Sequence, residues 1–374
     1  MKAVYQLARL LKEHLPINFA RIVLTAQMVL SMIKVRTVSL NEIAAGFSGK
    51  AETESNERRM RSFFKDFYLD PDFTALFVAS KLPGDKRLLT ADRTTWEFGK
   101  MKINILVSAV VYRGAAVPLL WKFLTNKDEP DCGKKGNSNT GERKELMERF
   151  IRLFGKDRIE AVVADREFIG NLRFLRLKTN NIGIVIRIRE NQKVTDARGI
   201  FTRVSRLFRD LKIGESRILR GLRKIGDAEV YVCGMMLPSG ELLIVVTFES
   251  PGKALEIYAG RRQIETMFAC LKTRGFRFES THLGNFEKID KLFGIVTIAF
   301  VWVYLIGDKS DEIKPVIVKK HGYRAKSIFR LGFDRLRRVL LNLSEYADEF
   351  TDAIQVFSVS SEYFFKSYEL CRQK

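Results

Sequence analysis

The sequence predicts an α/β protein whose mixed sheet is flanked by helical regions at both ends. Three observations carry that expectation. Residues 87–124 hold three apolar runs separated by turn signals, residues 144–189 alternate helical and strand-like periods, and the chain before residue 85 and beyond residue 311 reads as helical.

Taken in order, helical periodicity runs over residues 4–34 and is interrupted near Pro16. Ser39-Leu40-Asn41-Glu42 matches a capping box, and Ile43, Ala44 and Phe47 continue an apolar face until Gly49. A second helix follows over residues 55–67 and carries Arg58, Arg59 and Arg61. Two short helices around a glycine, the second basic, fit two readings equally. One is a helix-turn-helix module laying those arginines on DNA, the other a small bundle with solvated arginines.

From Lys86 the texture changes. Residues 87–92 read as a strand ending in Asp92, residues 102–112 as a longer strand and residues 116–124 as a third, with Gly114 between the last two. Residues 125–140 are polar and read as an exposed loop. A helix over 144–154 would bury Leu146, Met147, Phe150, Ile151 and Phe154. A short strand over 159–164 delivers Asp165, a helix over 171–179 follows, and residues 183–189 are a fifth strand. The order β-β-β-α-β-α-β is that of the ribonuclease-H-like fold, where carboxylates from the first strand, the end of the fourth and a later helix converge. Here those positions hold Asp92, Asp165 and Glu265.

Residues 190–250 are too long for a plain connection and read as an inserted β-rich subdomain. Strands over 230–237 and 242–248 form a hairpin around Pro238-Ser239-Gly240. Arg203, Arg206, Arg209, Arg217, Arg220, Arg223 and Lys224 make the segment basic, which suits a DNA-tracking surface or a solvated sheet face. The expected organisation is a helical DNA-binding domain at 1–85, the ribonuclease-H-like core at 86–190 and 251–310 around the insertion at 191–250, and a helical region at 311–374. In that last region Arg330, Arg335, Arg337 and Arg338 would face DNA or a second subunit.

The stretch 256–272 carries Tyr258, Arg261, Glu265 and Lys272 at steps of 3, 4 and 7 residues. On one continuous helix those steps place the four side chains within roughly 60° of each other. Ile257, Ile264, Phe268 and Leu271 fall on a band beside them, so the polar stripe borders the core. A phenol, two cations and a carboxylate there suit a phosphate-rich substrate with a metal beside it. An ordinary ion pair between Arg261 and Glu265 is the plainer reading of the stripe alone.

Composition points the same way. The 374 residues hold 65 Lys+Arg against 44 Asp+Glu, a net charge of +21, in a chain that is 46% hydrophobic. The sequence pI is about 9.8. A folded, basic chain calls for a polyanionic partner, and its scattered cations favour nucleic acid over a membrane. Cys132, Cys233, Cys270 and Cys371 have no CxxC spacing, and with His14, His282 and His321 make no zinc pattern; they read as reduced thiols of a cytoplasmic protein. No signal peptide is expected at Met1. The apolar run 292–307 is slightly short for a membrane span and reads as a buried helix.

Three carboxylates from separate segments suit Mg²⁺, which takes one or two carboxylates per ion and completes its shell with water and phosphate oxygens. Two such ions about 3.5 to 4 Å apart activate an attacking hydroxyl and stabilise the leaving oxygen. Strand ends and helix caps also collect single aspartates, so it is the three together that point to catalysis.

The chain resembles bacterial insertion-sequence transposases of the IS-four family, within the DDE superfamily. That family is marked by Y-x2-R-x3-E-x6-K, matched here by Tyr258, Arg261, Glu265 and Lys272. Its aspartates sit in segments like T-A-D-R-T, around Asp92, and A-D-R-E-F, with Asp165 and Arg166; Glu167 stands where the family often has glycine. The resemblance spans about residues 88–305. It implies metal-dependent cleavage at element ends and strand transfer by the freed 3′-hydroxyl. Asp92, Asp165 and Glu265 would carry two Mg²⁺ ions, for which Mn²⁺ can substitute, and Tyr258, Arg261, Lys272 and Arg166 would hold DNA. The implied partners are terminal inverted repeats, target DNA and a second copy of the chain in the DNA complex, with a cytoplasmic, nucleoid-associated location. Relatives often pass through a hairpin intermediate with a flipped base stacked on an aromatic of the insertion. Lacking Trp there, this chain would have to use Phe201, Phe208 or Tyr231. A DNA-binding regulator without catalysis and a stand-alone nuclease are the alternatives.

Overall fold

The structure is a computed structural model that describes residues 1–98, 101–126, 133, 138–166, 177–178, 180–320 and 324–359. Most of the expected helix over 171–179, most of the loop over 125–140, Glu167, Cys132 and Cys371 lie outside the described residues.

Five helices open the chain: α1 (Lys2–His14), α2 (Phe19–Val35), α3 (Leu40–Ala45), α4 (Thr53–Asp66) and α5 (Pro71–Ser80). The break near Pro16 is real, and Asn18 caps α2 by accepting from the Ala20 amide. The capping box expected at Ser39 does not form, since the Ser39 side chain makes no cap bond. Its pattern sits instead at Asn139 and Glu142, where side chain and backbone exchange both bonds at the start of α6 (Thr140–Phe154).

Strands β1 (Arg87–Phe98), β2 (Met101–Tyr112), β3 (Ala115–Phe123), β4 (Ile159–Ala164) and β5 (Gly183–Arg187) lie in the order 3-2-1-4-5. The first three are antiparallel, while β4 runs parallel to both β1 and β5. This mixed sheet is consistent with a ribonuclease-H-like arrangement. The insertion is less separate than its length suggests. Its long strands β10 (Ala228–Met236) and β11 (Leu242–Thr247) extend the central sheet, β11 pairing antiparallel with β5. Only β6 (Lys193–Thr195) and β7 (Phe201–Arg203) form a ribbon of their own, and the short β8 (Ser216–Ile218) and β9 (Arg223–Ile225) line β10.

After the sheet come α7 (Ala254–Ala259), α8 (Arg262–Leu271), α9 (Phe286–Ile313), α10 (Ile328–Leu341) and α11 (Ala347–Ser358). Among the described residues α9 alone is long and apolar enough to cross a membrane, yet 89% of its most apolar window is buried in the protein. It is the central post of the helical layer. Lys291 of α9 reaches the Phe64 carbonyl at 2.9 Å and closes the end of α4, and Trp121 of β3 packs on Phe293. One apolar core therefore runs from Leu7 and Ile33 through Trp121 and Trp302 to Phe357.

Elements near the two ends of the described residues, α1 and α11, meet in that core. Lys81 lies 3.3 Å from His14 and 3.4 Å from the Ser358 carbonyl, and Phe77 packs edge-on against Phe357. Burial, with the Lys81 charge second, lowers the His14 pKa to about 4. The unfolded imidazole takes a proton near its ordinary value of about 6.5. Stability from a neutral His14 is thus complete above that value and is lost as pH falls through about 4. His14→Gln should lose about 2 kcal/mol less unfolding free energy than the wild type between pH 7 and 4.5, measured by urea titration.

Candidate active site

Asp92 lies within β1 and Asp165 directly follows β4. The parallel register sets Thr90 beside Val163, so two residues on, Asp92 and Asp165 leave adjacent strands at one level. Ala164 is likewise beside Ile186, which puts Asp165 next to Arg187 of β5. Each aspartate accepts the backbone amide that follows it, Arg93 at 2.8 Å and Arg166 at 2.7 Å.

The stretch 256–272 is not the single helix expected from its spacing. It is α7 and α8 joined at Gly260–Arg261, where the amides of Gly260 and Arg261 bond three residues back, to Ile257 and Tyr258. Gly260 sits close against β2: a Cβ there would meet the Ile257 carbonyl at 3.1 Å and Val111 at 3.5 Å. Across the joint Arg261 and Lys272 still reach β1 and Glu265 reaches Arg261, while Ile264, Phe268 and Leu271 are buried beneath.

Arg261 is the hub. Its Nη2 lies 2.9 Å from Asp92 Oδ2 and 3.4 Å from Asp165 Oδ2, and its Nη1 lies 3.1 Å from Glu265 Oε1. Three carboxylates from three separate elements thus meet on one guanidinium. Burial alone would lower the Arg261 pKa, but the Asp92 and Asp165 charges, then Tyr258 and Glu265, raise it. The Arg261 side chain is 14% exposed and the Glu265 side chain 60%, so the cluster is buried at its centre and open at the Glu265 rim.

Tyr258 is buried, and its pKa is raised by burial and the Asp165 charge against the pull of Arg261 and Arg187. Arg187 lies near enough to the phenol to draw its pKa down, and it pairs with Glu241 beside β11. Sequence reasoning missed Arg187. The signal was a cation ending the strand that lies beside the Asp165 strand, but it is readable only once that neighbour is known. Lys272 anchors the other side: its Nζ donates to the Thr95 carbonyl at 2.9 Å, pairs with Glu279 at 3.0 Å and lies 5.6 Å from the Trp96 ring centre.

With that geometry in place, the family model for the transposase DDE domain matches residues 130–302. That stretch of the chain is thus similar to a transposase DDE domain. The match covers Asp165 and all of 256–272, while Asp92 lies upstream of it. No curated protein matches the chain. A transposase domain implies DNA as the substrate.

The donor set around this site suits a hard divalent cation, since all three acidic groups are oxygen donors. As they stand, however, no three His, Cys, Asp or Glu side chains among the described residues are close enough together to hold an ion. The carboxylates are gathered on Arg261 and not on one another. Arg166 is exposed beside Asp165. Arg58, Arg59 and Arg61 lie exposed along α4, where Arg61 pairs with Glu57 and Arg59 donates to Asn56. In the insertion Arg203, Arg206, Arg209 and Arg220 are exposed, whereas Arg217 pairs with Asp210. Phe208 is fully buried under Gly234 and is removed as a base-stacking candidate; Phe201 is half exposed, and Tyr231 lies between them. Cys233 and Cys270 are buried, which pushes their thiols up to about 11 and about 12.

Proposed function

We propose that this protein is a DNA transposase of the IS-four type, cutting element ends and joining the freed 3′-hydroxyl to target DNA. The observation that carries the reading is the meeting of Asp92, Asp165 and Glu265 at Arg261, of which Asp165, Arg261 and Glu265 lie in the stretch that matches a transposase DDE domain. Mg²⁺ ions held by the three carboxylates would supply hydroxyl activation and charge neutralisation at the scissile phosphate. The chain's own cations bind and orient the DNA. Lys272 and Arg261 grip phosphates near the cut end, with Tyr258, buried within reach of the Asp165 and Arg187 charges, as a hydrogen-bonding partner and not a nucleophile. Exposed arginines of the insertion and α4 extend the track along the duplex, and Phe201 is the aromatic best exposed for a flipped base. Two copies acting together on inverted repeats, in the nucleoid, complete the proposal.

The test is a strand-transfer assay with end duplexes in Mg²⁺. Cleavage followed by joining is expected. Cleavage without joining favours a stand-alone nuclease, and binding with no cleavage by the wild type favours a regulator. Lys272→Ala should weaken end binding roughly tenfold and lower the slope of log affinity against log salt by about 1. Gel-shift titrations at several salt concentrations measure both, and an unchanged slope counts against a phosphate contact.

A further inference from the structure

Arg261 touches all three proposed metal ligands at once, which is an unusual place for a residue whose proposed task is only to hold DNA. Building on the transposase reading above, we propose that Arg261 is a resident cation that keeps divalent metal out of the Asp92–Asp165–Glu265 cluster until a DNA phosphate draws the guanidinium away.

Four observations support it. The guanidinium competes directly for the oxygens a metal would need, because each acidic side chain gives it an oxygen within 3.4 Å. As they stand around the arginine, no three His, Cys, Asp or Glu side chains among the described residues are close enough together to hold an ion. Arg261 is also incompletely held, since its Nε is buried without a hydrogen-bond partner. It sits at the joint between α7 and α8, where its amide and its carbonyl both make three-residue hydrogen bonds and not the four-residue bonds of a regular helix.

The neighbouring cations are differently placed. Lys272 is occupied by Thr95 and Glu279, and Arg187 by Glu241. Arg261 alone among these three bridges both aspartates and Glu265. The exposed Glu265 marks the open rim, where a phosphate can approach the guanidinium and offer it the paired oxygens it prefers. If phosphate and carboxylates compete for the same arginine, DNA and metal must bind with positive coupling, each raising the affinity for the other. The site would then be assembled for cutting only on a bound end.

The experiment is a Mn²⁺ titration followed by the electron paramagnetic resonance signal of free Mn²⁺, on the full chain, with and without a duplex carrying the element's own end. Without DNA, Arg261→Gln should bind Mn²⁺ about tenfold or more tighter than the wild type, because the competing state is gone. Arg261→Lys, which keeps a charge but cannot bridge three carboxylates, should fall between them. Adding the duplex should tighten Mn²⁺ binding more in the wild type than in Arg261→Gln. Equal or weaker Mn²⁺ binding by both variants without DNA overturns the proposal, as does an equal effect of the duplex on all three proteins. Mn²⁺ that raises the melting temperature of Arg261→Gln more than that of the wild type is the supporting result even where the variant is less stable. A separate arm tests the underlying reading: if Asp165→Asn in the Arg261→Gln background leaves Mn²⁺ binding intact, the carboxylates are not the metal site, whatever Arg261 does.

Discussion

Asp165→Ala is expected to abolish DNA cleavage while leaving end binding within about threefold of the wild type. Asp165 emerges from a strand whose backbone is fixed on both sides by β1 and β5, so removing its carboxylate leaves the sheet intact. Its side chain is only partly buried, and its neighbours Arg261 and Arg187 keep Asp92, Glu265 and Glu241 as partners. The fold and the basic surface should therefore survive. Catalysis should not, because even residues that merely support a metal ligand cost about 10- to 100-fold when removed, and a ligand itself should cost more. Nicking of an end duplex in Mg²⁺, beside a gel shift of the same duplex, separates the two effects. Cleavage by the variant at the wild-type rate would sink the proposed active site.

The largest expected effect on stability lies elsewhere, at the crossing of α9 and α10. A Cβ on Gly332 would fall 1.9 Å from the Val303 carbonyl and 2.5 Å from the Gly307 amide, and one on Gly307 would fall 2.0 Å from the Ile328 carbonyl. The two helices touch backbone to backbone, with no side chain between them that could yield. Gly332→Val must push α10 off α9, opening the contacts of Phe329 with Phe300 and of Phe333 with Phe276. A loss of more than about 3 kcal/mol is expected, seen as a large fall in melting temperature or in soluble yield. Gly252→Ala is the matched control, because open space surrounds that position, and it should melt near the wild type. Wild-type melting of Gly332→Val would mean that the crossing is not close-packed. Because Phe276 follows Lys272 by a few residues and packs on α10, the damaged variant should also bind DNA ends less well.

Much of this was legible before any coordinates. Apolar runs bounded by turn residues mark β2 to β5, because strands covered on both faces carry continuous apolar sequence, and Asp92 and Asp165 stand out as carboxylates on or after strands of that sheet. The spacing of Tyr258, Arg261, Glu265 and Lys272 identifies one edge, and the structure keeps them on it despite the break at Gly260. The break itself was not legible. Glycine in a helical pattern is ordinary, and only the nearness of Val111 shows why the chain tightens there.

Local chemistry failed in one instructive place. Ser39 and Glu42 have the residues of a capping box without the bond, whereas Asn139 and Glu142 form one at the edge of a stretch that reads as loop. A cap is settled by how the preceding chain enters the helix, which neighbouring elements decide.

The sequence by itself determined the kinds of element, their order and the acidic and basic residues available for chemistry, because these follow from side-chain period and residue type. Only the tertiary structure decided that β10 and β11 would extend the central sheet, that Arg187 would stand beside Asp165, and that one guanidinium would join three carboxylates. Those are contacts between residues far apart along the chain, and no local periodicity encodes which strand will lie next to which or where a long flexible cation will come to rest.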